Sequence, residues 1–201
     1  VLNSITPLFT LIFGLILFKQ KQNLRAIIGV VTGLIGEIGL IIISNVDGIK
    51  INGNVLYALL PLLGSACYAL NVNIIKNFLS NISAVKITSW SFIFIGPPAG
   101  IILFFNTNFS HNLMYNDPLL KNFLLITILG VIGTGFAVWL FNLLIKKTSS
   151  VYASSVTYLI PIVAIFWGIS DGEIFSIYQW IFSLIILGGI SLIKSKSDIK
   201  Q

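Results

Sequence analysis

Few side chains in this sequence could do chemistry, and most of them bind rather than react. Glu37 is the one ionisable residue deep inside an apolar run, in Gly33-Leu34-Ile35-Gly36-Glu37-Ile38-Gly39. A carboxyl there suits a proton site or a contact for a basic solute; the alternative is a neutral, hydrogen-bonded group packed on its glycine face. Around it the hydrogen-bonding residues recur at helical spacing. Asn3, Thr6, Pro7, Thr10 and Gly14 form one stripe, and Pro61, Gly64, Ser65, Tyr68 and Asn71 a second. Gly130, Gly133, Thr134 and Ala137 form a third, and Ser154, Thr157, Tyr158, Pro161 and Gly168 a fourth. Spacings of three and four put such residues on one face of a helix.

Among these, Tyr68, Asn71, Thr157, Tyr158, Asn142 and Thr6 are the candidates for contact with a solute. Asn73 is better explained by a position near a helix end. Pro7 and Pro161 each remove a backbone donor within a polar stripe, which makes them candidate hinges. Gly29-x-x-x-Gly33 and Gly96-x-x-x-Gly100 are most simply helix-packing contacts. Tyr68 and Tyr158 are expected in a cavity, and Trp90 either there or at a membrane interface. No nucleophile sits near a base, and no phosphate-binding glycine loop is present. Cys67 and His111 are the only residues of their kinds, so a cysteine-clustered metal site is excluded. No metal or other cofactor is expected.

The elements that must position these groups are apolar helices. The 201 residues are 56% hydrophobic and 9% charged, with a mean hydropathy of +0.99. Soluble domains carry about 25% charged residues, so so little charge cannot cover a water-facing surface. Seven apolar segments stand out: Val1–Phe18, Leu24–Ile43, Val55–Ile75, Val85–Phe105, Leu119–Ile145, Val151–Ile169 and Ser176–Ile193. Each approaches the roughly 20 residues that span a bilayer. The fold expected is an all-α integral membrane protein with about seven transmembrane helices. At the centre of such a span, a charge such as that of Glu37 costs on the order of 2.5–3.5 kcal/mol.

Charge placement orients the helices. If the C-terminus is cytoplasmic, Lys19, Lys21, Arg25, Lys76, Lys86, Lys146, Lys147, Lys194, Lys196 and Lys200 fall on the inner side, with Lys50 and Lys121 outside. That is the asymmetry of multi-pass cell-membrane proteins. The net charge of +6 is thus read as topology, and no nucleic-acid partner is expected; the partners expected are the lipid bilayer and a small solute, and a homodimer is a further expectation.

The chain also repeats itself. Laying Pro161 on Pro7 puts Gly168 on Gly14 and Glu173 on Lys19. The two proline helices are the first and the sixth, an odd number of spans apart, so they cross the membrane in opposite directions. Inverted-topology repeats are the mark of secondary transporters. The third to seventh segments would form one complete five-helix unit. The chain begins at Val1 inside an apolar pattern, so three more helices are expected before it.

These residues resemble the drug/metabolite transporter superfamily, EamA type. The resemblance is carried by Ala153 to Pro161, Gly168 to Glu173, Gln179, Gly188-Gly189, Thr6-Pro7-Leu8-Phe9 and the glycine-spaced segment after Arg25. It implies a ten-helix, five-plus-five inverted-repeat protein, of which this chain is the C-terminal part. Residues 1–45 would be the last two helices of the first repeat, 52–194 the second repeat, and 195–201 a cytoplasmic tail. It implies an inner-membrane permease or exporter of a small organic metabolite such as an amino acid, rather than an enzyme. The solute cavity would lie between the repeats, lined by the first, third, fifth and sixth helices, with the proline hairpins as gates. One departure is clear: Asp171-Gly172-Glu173 follows the second proline helix, whereas Phe18-Lys19-Gln20 follows the first. The alternative function is a membrane-embedded enzyme acting on a lipid or lipid-linked substrate. Asp171 with Glu173 would be its nearest acidic pair, and that pair reads more simply as an exposed turn.

Overall fold

The computed structural model describes residues 5–46, 55–107, 109, 117–172 and 175–193. Asn3, Ser4, Asp47, Lys50, His111, Glu173, Lys194, Lys196, Lys200 and the expected tail 195–201 lie outside them. The described residues form helices: α1 (Thr6–Ile16), α2 (Leu24–Val46), α3 (Val55–Phe78), α4 (Ala84–Phe105) and α5 (Asp117–Ile128). A π-helical stretch, Leu129–Phe136, joins α5 to α6 (Ala137–Lys147). Then α7 (Ser150–Ser155), a 3-10 turn (Val156–Leu159) and α8 (Ile160–Ser170) run on as one interrupted helix, and α9 (Ile177–Ile193) follows.

Among the described residues, five helical stretches are long and apolar enough to cross a membrane: Leu24–Ile43, Leu59–Phe78, Ala84–Phe105, Lys121–Lys147 and Ser150–Ser170. The first and seventh segments form the shorter helices α1 and α9. The apolar run that begins α1 continues to Phe18, but the helix stops earlier. Lys19 adopts a positive φ of 49°, and the Gln20 amide turns back to donate to the Gly14 carbonyl at 2.8 Å.

The helices fall into two compact units, Val1–Phe78 with Thr148–Gln201, and Leu79–Lys147. In the first, α2 and α9 pack more extensively than any other pair, while α1 lies on α3 and α7. Glycines permit the α2–α9 approach. A Cβ on Gly29 would come within 2.6 Å of the Gly189 carbonyl oxygen, and one on Gly189 within 2.7 Å of the Gly33 nitrogen. The Gly29-x-x-x-Gly33 expectation is met. Two apolar clusters fill this unit: Leu11, Ala26, Val30, Val151 and Ile193 in one, and Leu40, Tyr158, Ile165 and Ile186 in the other.

In the second unit α4 packs on α6 through its first turns, where Ala84, Ile87 and Thr88 are buried. The rest of α4 is exposed, Phe94 and Phe105 included. Gly96 and Gly100 face open space, so the packing role expected for Gly96-x-x-x-Gly100 is not seen among the described residues. In water such a surface would aggregate; in a bilayer it is ordinary, because lipid tails are as apolar as Leu.

Candidate functional site

The first proline helix opens with Pro7 in its first turn, where the missing N–H has no partner to lose. Thr6, Pro7 and Thr10 are buried, and the Thr10 hydroxyl donates to the Thr6 carbonyl at 2.9 Å. The second proline also stands in the first turn of its helix, but that helix continues from α7. Pro161 cannot donate to the Thr157 carbonyl four residues back. The chain therefore tightens into the 3-10 turn, and the Ile160 amide takes the Thr157 carbonyl instead. The interruption at Val156–Leu159 is the local answer to one absent N–H.

Most hydroxyls of this interrupted helix bond within it. Ser154 Oγ donates to the Val151 carbonyl at 3.0 Å, Ser155 Oγ to Tyr152 at 2.7 Å, and Thr157 Oγ1 to Ser154 at 2.9 Å. Tyr158 reaches out. Its ring lies against Gly33, and its hydroxyl donates to the Val30 carbonyl of α2 at 3.1 Å. Tyr158 is fully buried, so it ties the 3-10 turn to α2. Glu37 is also buried.

The predicted stripe on α3 divides. Pro61, Gly64, Tyr68 and Asn71 are exposed, whereas Ser65 is buried on the side that also buries Ala69, Val72 and Asn73. Asn73 is fully buried and bonded on both ends of its amide. Its Nδ2 donates to the Thr10 carbonyl of α1 and to Ala69, each at 3.0 Å, and its Oδ1 accepts from Gln20 Nε2 at 3.1 Å. Gln20 Oε1 accepts in turn from Ser150 Oγ of α7 at 3.1 Å and from Gln22 Nε2 at 3.0 Å. One glutamine side chain therefore joins the ends of α1, α3 and α7. Neither Gln20 nor Ser150 is singled out by the sequence, because a glutamine between two lysines reads as a solvated turn.

In the second unit, Asn142 is buried and donates to Thr88 Oγ1 at 2.9 Å, while that hydroxyl donates to the Ala84 carbonyl at 2.9 Å. Beside this pair is a shallow hollow of about 270 Å³ lined by Val85, Thr88, Ser89, Phe136 and Trp139. Lys146 Nζ donates to the Ile82 carbonyl below it. The stripe Gly130, Gly133, Thr134 lies in the π-helical stretch, where i→i+5 bonding spreads the residues that a regular helix would align. Trp90 is exposed and its ring stands 5.7 Å from that of Phe94. Asp171 is exposed in a turn completed by Gly172, whose φ is +84°.

The candidates are therefore not all in one place. Thr6, Tyr158 and Glu37 belong to the packed interior of the first unit, Thr157 is half-buried in its 3-10 turn, Tyr68 and Asn71 lie on the open face of α3, and Asn142 belongs to the second unit. Among the described residues no three of His, Cys, Asp and Glu gather as a metal site.

Residues 55–195 match the model of the EamA-like transporter family. The chain is also 28% identical over 192 residues to the "Uncharacterized inner membrane transporter YedA" of Escherichia coli strain K12, and equally to the YedA proteins of strain CFT073 and of O157:H7. Those alignments cover 93% of this chain and 58% of each relative, so the chain spans little more than half the length of the curated relatives it matches. No solved structure matches it. With a family match over most of its length and apolar helices long enough to cross a bilayer, this multi-pass membrane chain belongs to the EamA-like transporter family.

Proposed function

We propose that the protein containing this chain is a secondary transporter of a small organic metabolite, such as an amino acid, working by alternating access between two inverted five-helix repeats. Residues 1–45 end the first repeat, 52–194 form the second, and 195–201 are a cytoplasmic tail. The family match over 55–195 supports that division. One observation carries the mechanism. The C-terminal end of α1 meets the N-terminal end of α7 through Gln20 and Ser150, and α1 packs on α7. The C-terminal end of the first proline helix thus meets the start of the segment that leads into the second, which is the arrangement expected if the two run in opposite senses, as in inverted repeats.

Tyr68 and Asn71 contact the solute from the open face of α3, together with Thr157. Thr6, Tyr158 and Asn142 act on the pathway by positioning the helices they bond or pack against. Pro7 and Pro161 mark the segments that bend, and Glu37 is the proton site.

The test is to express the full-length protein and a Tyr68→Ala, Asn71→Ala double variant at equal membrane levels and profile small metabolites inside and outside the cells. A compound that redistributes unaltered with the parent and not with the variant supports the reading. Equal redistribution by both removes Tyr68 and Asn71 from the site, and chemical conversion without redistribution refutes transport.

A further inference from the structure

The α1–α7 contact is made in a way that allows it to come apart. Of the buried residues of α7, Ala153, Ser154 and Ser155 are small and carry little apolar area, while Val151, with Tyr152 beside it, packs in the cluster of Leu11, Ala26, Val30 and Ile193 and is the apolar contact that a movement of α7 gives up. The hydroxyls of Ser154 and Ser155 bond to carbonyls of their own helix, so separation orphans neither of them. One bond that does cross is Ser150 Oγ to Gln20 Oε1. Gln20 is in turn fixed by Asn73, which holds the Thr10 carbonyl of α1. Immediately beyond α7 comes the 3-10 turn, anchored to α2 by Tyr158 and followed by Pro161. A six-residue segment thus stands between a fixed pivot and a polar catch.

We propose that Gln20 is a latch: its side-chain amide holds α7 against α1 and α3 at their lysine-flanked ends, and breaking its bonds frees α7 to swing about the Val156–Pro161 pivot. The inference rests on the alternating-access reading for its purpose, but not for its test. Lys19 and Lys21 flank the latch on one strand, Lys76 lies one turn beyond Asn73, and Lys147 precedes Ser150 by three residues. The latch therefore closes the end that the charge pattern assigns to the cytoplasm. Gly14 leaves room for it, since a Cβ there would come within 3.1 Å of Gln20 Oε1 and 3.3 Å of Asn73 Oδ1.

The experiment uses the full-length protein in membrane vesicles, with native cysteines, Cys67 included, replaced by Ser. Ala153→Cys places a thiol in the buried face of α7, and its labelling by a membrane-impermeant maleimide added at the lysine-rich side is timed. Ser183→Cys, buried on α9, is the control. Adding Gln20→Ala is expected to speed labelling at position 153 by roughly fivefold to tenfold, the population change from losing about one net hydrogen bond. Labelling at position 183 should not change. An unchanged rate at 153, or an equal rise at 183, overturns the latch. If Gln20→Ala fails to fold, Ser150→Ala removes one arm only and must still give a smaller rise at 153; no rise overturns the proposal. Transport is measured on the same vesicles. Loss of the latch with transport intact, and a working latch with no solute moved, are separate results that fail separate claims.

Discussion

In the unit that holds α2 and α9, two helices meet backbone to backbone over glycines, and buried amides bond across helices. In Leu79–Lys147 the same kind of apolar sequence folds into helices that touch mainly at one end, with Gly96 and Gly100 facing open space. Both units are built from apolar helices. What separates them is where small residues and amides coincide with a neighbouring helix. Helix association in a bilayer gains little from apolar burial, since lipid offers the same environment. Close packing and interhelical hydrogen bonds must supply it, and the first unit has more of both.

The sharpest way to break that contrast is to put a side chain between α2 and α9. Gly189→Leu should abolish the folded protein, because even a Cβ meets backbone at 2.7 Å and overpacking costs about 1–3 kcal/mol or more. Size-exclusion profiles in detergent will show this as loss of the monodisperse peak. Asn73→Ala comes next. It removes bonds to Thr10, Ala69 and Gln20, those to Thr10 and Gln20 leaving the helix, and a cost of about 1.2 kcal/mol is expected at about 0.6 kcal/mol per such bond within a membrane protein, read as a lower thermal midpoint. Tyr158→Phe should cost about 0.6 kcal/mol, and at most about 1.7, the range for one bond within a membrane protein. It keeps the ring on Gly33, so a larger fall in transport than in stability would place the Val30 bond in the working cycle. Gly100→Ala is the smallest. Nothing lies within contact of its Cβ, so stability should hold or rise by about 0.5–1 kcal/mol. A large loss there would mean that the second unit is packed after all.

Much of this was legible in the sequence, and the exceptions have physical causes. Helix type and the Gly29-x-x-x-Gly33 contact follow from periodicity and residue size, and the family resemblance from the motifs around Pro7 and Pro161. Tyr68 and Tyr158 look alike in sequence, each in a polar stripe, yet one is exposed on α3 and the other buried against Gly33. Their difference lies in the neighbouring helix, which periodicity along one helix does not reveal. The Gln20 cluster was invisible for a related reason: its partners are 53 and 130 residues away, and its flanking lysines suggest a solvated turn. The π-helical stretch escaped because a regular helical period was assumed for Gly130, Gly133 and Thr134. The early end of α1 turns on the backbone of Lys19, a residue with no particular preference for positive φ.

The central claim is alternating access, and counterflow tests it most directly. The full-length protein, purified into liposomes and loaded with the metabolite that the profiling identifies, is given labelled metabolite outside. Alternating access predicts that a loaded interior accelerates entry of label, and that Asn71→Ala weakens the effect without moving the thermal midpoint. Entry at a rate indifferent to the loaded solute would describe a channel, and would contradict the account.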